Sequence, residues 1–213
     1  ALLDSEAPVV TIVAKSDVRH VTEALRATLE ENLAMVSDTV RFLTGEGRRV
    51  FVDMEHFFDG FKRNEEFALR ALEAAVVKGA SHLVLCDTNG GTLTSRMAEI
   101  VVDAKAALAS DPAAREIVWG IHTHNDAELA VANALAAVDA GVRHVQATIN
   151  GYGERAGNAN MVSLLANLAL KTDHQVAGAD RLPDLTLLSH EVAEIANLAP
   201  DDHQPYVGRS AFA

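Results

Sequence analysis

The sequence predicts an α/β fold, and more closely a partial (β/α)8 TIM barrel with about five of the eight parallel strands and flanking helices. Strand and helix patterns alternate along the chain, and repeated β–α units imply a parallel sheet with crossover helices. Segments that follow the strands are polar and rich in ionisable groups, whereas those that lead into the strands are bland. This asymmetry favours one catalytic face, because barrels build their sites from the loops after the strands. An open doubly wound sheet is the alternative, weakened because no dinucleotide-binding glycine fingerprint follows any strand.

Short runs rich in β-branched residues predict the strands. The first run, VVTIVA, comes directly after Pro8, as expected for a short buried strand. The predicted strands cover residues 9–14, 49–54, 83–86, 117–121 and 144–149.

Apolar residues that recur every three or four positions predict the helices. The longest pattern covers 21–43, and Asn64 is the expected N-cap of the next helix, which runs to 78. Ser95 and Asp126 are the expected N-caps of two further helices. The helix after Ser95 extends to 109, and the helix after Asp126 extends to 141. Two more helices are expected at 161–170 and 185–199. Residues 53–62 are expected to form a polar and aromatic loop.

Composition argues against two classes of partner. The formal net charge is −12, whereas nucleic acids and anionic membranes are bound by basic surfaces. The single cysteine, Cys86, permits no intramolecular disulfide, which indicates a cytoplasmic setting. The sequence shows no signal peptide and no apolar run of membrane-spanning length. Neither a nucleic acid nor a membrane surface is therefore expected as a partner.

Two histidines at the end of the fourth predicted strand are the first candidate metal ligands. His122 and His124 are two residues apart, so their side chains share one face of the strand and can reach one ion. A polar strand end or a histidine satisfied within the core explains the same spacing. The following Asn125 and Asp126 favour a fixed strand-to-helix turn, because Asp126 can cap the next helix.

The loop after the fifth predicted strand is rich in glycine and asparagine. Its glycines permit tight turns close to a ligand, while Asn158, Asn160 or Glu154 can supply an oxygen to a metal. A long irregular connection is the competing interpretation, but its position beside the histidine strand favours a site. Two neutral imidazoles and an amide suit a divalent ion with open positions, which can polarise a 2-oxo acid bound through its keto and carboxylate oxygens.

Further candidates follow the second and third strands. Asp53 and Glu55 are two apart, and either can serve as an acid–base or water-orienting group, or simply belong to a solvated loop. Asp87 and Thr88 precede a glycine turn, where a hydroxyl suits a carboxylate ligand and an aspartate can instead stabilise the turn. Cys86 lies within a strand with no evident positive group beside it, so it is expected to be a core residue.

Five segments of the chain resemble the isopropylmalate/homocitrate synthase and HMG-CoA lyase-like family of TIM barrels, and within it the citramalate synthase branch. They are KSDVRHVTEALRATLEENLAM, DMEHFFDGFK, LCDTNGGTL, IHTHNDAELAVAN and VQATINGYGERAGNAN. The resemblance extends to EIANLAPDDHQPYVGRSAFA, close to the end of the chain. Glu128 stands where isopropylmalate synthases usually carry glycine and is shared with the citramalate synthase branch.

The resemblance implies condensation of acetyl-CoA with pyruvate to (R)-citramalate, an entry to isoleucine synthesis. It implies that His122, His124 and Asn158 hold a divalent metal ion (Mg, Mn or Zn), that Glu55 is catalytic and that Thr88 binds the substrate carboxylate. A cytoplasmic homodimer is expected. The alternatives are a 2-isopropylmalate or homocitrate synthase, an aldol lyase of the HMG-CoA lyase type, and a non-catalytic module.

Four departures from the family pattern bear on this expectation. The family's Asp-x-Thr-x-Arg-Asp-Gly run and a later histidine segment do not occur in the sequence, while Ala147 and Ala156 stand where the family commonly has glycine and cysteine. We therefore expect a fragment that is inactive alone. Residues 1–183 are expected to form the C-terminal part of the barrel, about strands four to eight, and 184–213 the final helix and the start of a linker subdomain.

Overall fold

The computed structural model describes residues 2–212, which form one parallel sheet with helices packed along it. Each strand begins within one residue of its predicted start. The last strand is only 3 residues long, because the chain soon enters a 3-10 turn in which Asn150 has a left-handed backbone (φ 60°). The strands are β1 Val9–Lys15, β2 Arg49–Glu55, β3 His82–Asp87, β4 Val118–Thr123 and β5 His144–Gln146.

The order of the strands decides between the two predicted architectures. All neighbouring strands are parallel, and the order is β1-β2-β3-β4-β5. A doubly wound sheet reverses its order at a switch point, and no reversal occurs here. The sheet is an arc of a TIM-type barrel, as the sequence predicts.

The two faces of the sheet differ in chemistry because successive strand residues point to opposite sides. Val52, Leu83 and Ile121 lie on the face that packs against the helices, and all three are fully buried. The opposite face carries Val84 and Gly120 together with a group of polar side chains, and this polar face leads to the candidate site. It includes Asp53, Cys86, His122, His144 and Gln146.

The helices cover one face of the sheet and share a single main core with it. A second, smaller core of Val162, Leu185 and Val207 holds the C-terminal segment against the helix at 161–171. No helix described between residues 2 and 212 has the length and apolar character needed to cross a bilayer. The α-helices are α1 Leu29–Gly45, α2 Phe57–Arg63, α3 Glu65–Val76, α4 Thr94–Ala107, α5 Ala130–Asp139, α6 Met161–Lys171 and α7 Leu185–Ile195. A π-helix covers His20–Leu25, and 3-10 turns cover Leu3–Ser5, Pro112–Glu116, Ile149–Gly151, Ala179–Asp184 and Arg209–Phe212.

The predicted continuous helix over 21–43 is wrong. The π-helix at His20–Leu25 ends at Arg26, whose backbone is left-handed (φ 55°), and α1 begins separately. Thr28 starts α1 with a capping box, accepting from the Glu31 amide while the Glu31 carboxylate accepts from the Thr28 amide. The apolar spacing continues across the break, so periodicity alone could not reveal it.

The predicted loop over 53–62 is also partly wrong, because α2 occupies its second half. His56 precedes α2 with a left-handed backbone (φ 59°), and Phe57 and Phe58 are fully buried. Burial of this aromatic pair stabilises a short helix that the polar residues around it obscure in the sequence. At the end of α2, Asn64 caps α3 as predicted, its Oδ1 accepting from the Phe67 amide at 3.0 Å.

Two other predicted caps are wrong. Ser95 lies inside α4, which begins at Thr94 after Leu93. Asp126 does not cap α5, because the helix begins only at Ala130, whose amide donates to Asn125 Oδ1 at 3.2 Å. Asp126 lies in a turn that is held by a contact distant in the sequence, whereas Ser95 is one residue too late to cap its helix.

Candidate metal and substrate site

The predicted site residues follow four consecutive strands at the same edge of the sheet. Glu55 is the last residue of β2, Thr88 follows β3, and His122 lies in β4 with His124 just after it. Asn158 lies in the connection after β5. Parallel strands bring their carboxyl ends together, so this edge corresponds to the face on which TIM barrels carry their sites.

The connection after β5 is joined to the end of β4 by backbone hydrogen bonds. The Asn125 amide donates to the Gly157 carbonyl at 2.9 Å, and the Ala159 amide donates to the Thr123 carbonyl at 3.0 Å. Between these bonds, His124 and Asn158 form an isolated antiparallel bridge. The loop is therefore an ordered wall of the site rather than an irregular connection, and it places Asn158 beside the histidines.

Two glycines in the loop permit this close approach. A Cβ atom at Gly153 would lie 2.2 Å from Asn158 Oδ1. A Cβ at Gly157, where φ is +96°, would lie 2.1 Å from the Gly151 carbonyl oxygen. The first glycine leaves room for the Asn158 carboxamide, and the second allows a left-handed backbone that other residues rarely adopt.

The structure brings His122, His124 and Asn158 together. The Nε2 atoms of the two histidines are 3.2 Å apart, and the Asn158 amide nitrogen Nδ2 lies 3.2 Å from His122 Nε2. Three side chains thus converge on one point. Burial lowers the pKa of His124, with His122 and Arg155 adding to the effect, so His124 is held as the neutral imidazole that a metal requires.

The donors at this point fit a divalent cation. Asn158 Oδ1 is buried without a hydrogen-bond partner. Exchange of the oxygen and nitrogen of the Asn158 carboxamide would turn its oxygen towards His122 Nε2, where an ion would be shared by all three side chains. Among residues 2–212 no three histidine, cysteine, aspartate or glutamate side chains form a metal-binding cluster. The donors that this chain brings together are therefore two imidazoles and one amide.

Two polar side chains lie behind His122. The Nδ1 atom of His122 is 2.7 Å from Gln146 Oε1, and Gln146 Nε2 donates to Asp53 Oδ1 at 2.9 Å. Burial raises the pKa of Asp53, and this hydrogen bond and His122 oppose the rise. Asp53 is one of the two candidates for an acid–base group at the end of β2, and the structure instead joins it through Gln146 of β5 to His122. Gln146 was missed, since nothing in its spacing sets it apart.

Glu55 forms an ion pair with Lys15, a residue that the sequence did not single out for the site. The two residues are register partners on β2 and β1. Burial lowers the pKa of Lys15. The side chains keep roughly a quarter of their surface exposed (23% and 28%), so the pair can be reached from the site.

Thr88 is held by the turn that starts α2. The His56 amide donates to Thr88 Oγ1 at 2.8 Å. The His56 ring stacks on His20 at a centroid distance of 3.6 Å. Burial, together with His20 and Lys15, lowers the pKa of His56 to about 4. The Thr88 hydroxyl accepts this bond, which leaves its proton available for a ligand.

Arg155, also missed from the sequence, joins the loop to the β3 and β4 ends. Its guanidinium pairs with Asp126 at 2.8 Å and donates to the Thr88 carbonyl oxygen. This pair explains why Asp126 does not cap α5. The side chain of Glu154 is 74% exposed and contacts the same arginine at 3.5 Å, so its carboxylate is an ion-pair partner of Arg155.

The remaining candidates have structural roles. Asn160 Oδ1 accepts from the Val162 amide at 3.0 Å and caps α6, so it is not a ligand. Asp87 is buried and accepts from the Thr92 hydroxyl at 2.9 Å, which stabilises the turn after β3. Cys86 is buried and its pKa is raised well above the usual value by burial, which confirms it as a core residue.

Comparison with known proteins gives the context of this geometry. The family model described as HMGL-like matches residues 3–190. The chain is 55% identical over 213 residues to a protein named (R)-citramalate synthase from Streptomyces coelicolor, and 51% identical over 214 residues to one of the same name from Synechocystis. Each alignment covers 100% of this chain and 39% of the relative's length. A 2-isopropylmalate synthase from Paracidovorax citrulli is 32% identical to this chain, and the alignment covers 41% of that protein's length.

Solved structures share the fold. An HMG-CoA lyase from Bacillus subtilis aligns with a TM-score of 0.76 at 18% identity. The alignment covers 92% of this chain and 66% of the lyase chain. An HMG-CoA lyase from Acinetobacter baumannii, solved with coenzyme A and 3-methylmalate, aligns with a TM-score of 0.69 at 22% identity, over 92% of this chain and 64% of its own. At these identities the likeness is one of architecture.

Proposed function

Because the chain belongs to the HMGL-like family, we propose that it forms part of an acyltransferase that condenses acetyl-CoA with pyruvate to give (R)-citramalate, an entry to isoleucine biosynthesis. The observation that carries the proposal is the convergence of His122, His124 and Asn158 on one point at the catalytic edge of the sheet. The relatives named (R)-citramalate synthase, aligned along the whole chain, support the choice of pyruvate.

The proposed roles follow from the contacts of each side chain. His122, His124 and Asn158 would hold a divalent ion (Mg, Mn or Zn), which supplies Lewis acidity towards the oxygens of a 2-oxo acid. Thr88 would donate its free hydroxyl proton to the substrate carboxylate, since its oxygen already accepts from the His56 amide. Glu55 would be the catalytic acid–base group, and Lys15 fixes the position of its carboxylate.

The relation of the chain to the whole protein belongs to the same proposal. Residues 1–183 would form the C-terminal part of the catalytic barrel, about strands four to eight, and 184–213 the final helix and the start of a linker subdomain. The whole protein would act as a cytoplasmic homodimer on small-molecule substrates, without nucleic-acid or membrane partners.

The test is thiol release from acetyl-CoA by the full-length protein with pyruvate, 2-oxoisovalerate or 2-oxoglutarate. We expect release with pyruvate that is abolished by EDTA and restored by Mn²⁺. Preference for 2-oxoisovalerate or 2-oxoglutarate would assign a 2-isopropylmalate or homocitrate synthase instead. Cleavage of HMG-CoA would assign a lyase, and a metal-free protein with neither activity would be a non-catalytic module.

A further inference from the structure

Three polar side chains, His122, Gln146 and Asp53, form a chain of hydrogen bonds across the polar face of the sheet. The chain begins at His122, one of the proposed metal ligands. Gln146 is the register partner of His122 on the neighbouring strand. Its side chain lies between His122 Nδ1, at 2.7 Å, and Asp53 Oδ1, at 2.9 Å. Asp53 comes from β2, which is two strands away from β4. The three residues are therefore joined only in the folded sheet.

The direction of each hydrogen bond in this chain follows from its carboxylate end. Gln146 Nε2 donates to Asp53 Oδ1, so the Gln146 NH2 group faces Asp53. The amide oxygen of Gln146 must then face His122. A carbonyl oxygen only accepts, so His122 Nδ1 must carry the hydrogen and donate it.

The other ring nitrogen of His122 is set by the same constraint. With the hydrogen on Nδ1, a neutral imidazole has a free lone pair on Nε2. Nε2 is the atom that faces His124 Nε2 and the Asn158 amide, each at 3.2 Å. We propose that Gln146 and Asp53 are positioning residues, which fix the tautomer and the ring orientation of His122 so that Nε2 is presented to the metal.

This inference rests on the proposed metal site and extends it below the ligands. Hydrogen-bond partners of metal-bound histidines typically contribute a factor of about 10–100 to metal affinity. An apolar side chain could fill the position of Gln146 but could not select a tautomer. If Gln146 had a purely structural role, its replacement would only lower stability. The positioning role predicts in addition that the replacement changes the tautomer of the metal-free His122 ring.

The experiment uses the full-length protein, stripped of metal and titrated with Mn²⁺ by calorimetry. We expect Q146L to weaken Mn²⁺ binding by about 10–100-fold. The matched control is Gln204→Leu, which removes a side-chain hydrogen bond to Asn150 away from the metal ligands, and it should bind Mn²⁺ as the wild type does. In the double variant D53N/Q146E the asparagine can donate to the new carboxylate, which still accepts from His122 Nδ1, so binding should return towards the wild-type value.

A second readout needs no metal. Nitrogen-15 NMR of the metal-free wild type should show His122 with its hydrogen on Nδ1, whereas Q146L should show a mixture of tautomers. A hydrogen on Nε2 in the wild type would overturn the inference even if Q146L does not fold, and so would equal Mn²⁺ affinity in the wild type and Q146L. A wild-type protein that binds none of Mg²⁺, Mn²⁺ and Zn²⁺ would instead overturn the proposed metal site.

Discussion

Lys15 and Glu55 stand opposite each other at the carboxyl ends of β1 and β2, and their side chains form an ion pair across the two strands. Burial lowers the pKa of Lys15, so this lysine lies in a setting that disfavours its charge unless it is paired. The pair fixes the Glu55 carboxylate at the same edge of the sheet as Thr88 and the histidines.

The first prediction concerns catalysis by this pair. E55Q should lower kcat for citramalate formation by roughly 10²–10⁴, as expected for loss of an acid–base group. K15M should lower kcat by a smaller factor, since it releases the carboxylate without removing it. Steady-state kinetics with pyruvate measure both. K78M, at an exposed lysine in the turn after α3, is the control. An unchanged kcat in E55Q would remove Glu55 from the mechanism.

The second prediction concerns the metal ligands. At an Mn²⁺ concentration about 100 times its Kd, binding should stabilise the wild type by about 2.7 kcal/mol. This is roughly 5–10 °C in Tm for a domain of this size. H122A and H124A should lose most of that gain because each removes one imidazole. Thermal scans with and without Mn²⁺ measure it, and H190A, at an exposed histidine of α7, should keep the full gain. Equal gains in all four proteins would contradict the site.

The third prediction concerns the space beside Asn158. G153A places a methyl group where only 2.2 Å separates it from Asn158 Oδ1, so the carboxamide has to move. We expect weaker Mn²⁺ binding with little change in the free energy of unfolding, since the displaced atom is the end of a side chain rather than backbone. Calorimetry and urea unfolding separate the two effects. G45A, where the added Cβ meets nothing within 4 Å, should leave Mn²⁺ binding intact.

The fourth prediction concerns pH. The pKa of His56 is lowered from 6.5 to about 4, first by burial and then by His20 and Lys15. Because the unfolded chain binds the proton more readily, the contribution of neutral His56 to stability is present above pH 6.5 and is lost as the pH falls towards 4. H56N, with a residue that tolerates the left-handed backbone, should unfold with a shallower dependence on pH in this window.

Urea unfolding at several pH values between 4 and 7 measures this slope. The control is His190→Asn, which should keep the wild-type slope because that histidine is exposed. An H56N slope equal to that of the wild type would show that the acid sensitivity arises from other groups.

The sequence by itself determined the alternation of strands and helices, the start of each strand within one residue, and the candidate histidines. These follow from local rules, because strand residues two apart share a face and apolar runs mark buried strands. The resemblance to known barrels also selected residues that spacing alone could not, such as Asn158 rather than Asn160 as the candidate metal ligand. In the structure Asn160 caps α6, while Asn158 Oδ1 is buried without a hydrogen-bond partner.

Only the tertiary structure decided which side chains meet. Gln146 and Asp53 are 93 residues apart and touch because their strands share one polar face. Lys15 and Glu55, 40 residues apart, meet through strand register. Arg26 interrupts an apolar pattern that continues on both sides of it, so local periodicity predicted one helix where the chain forms two. Local patterns fix the direction of each side chain relative to its own element, whereas strand order, register and backbone turns determine which neighbour it faces.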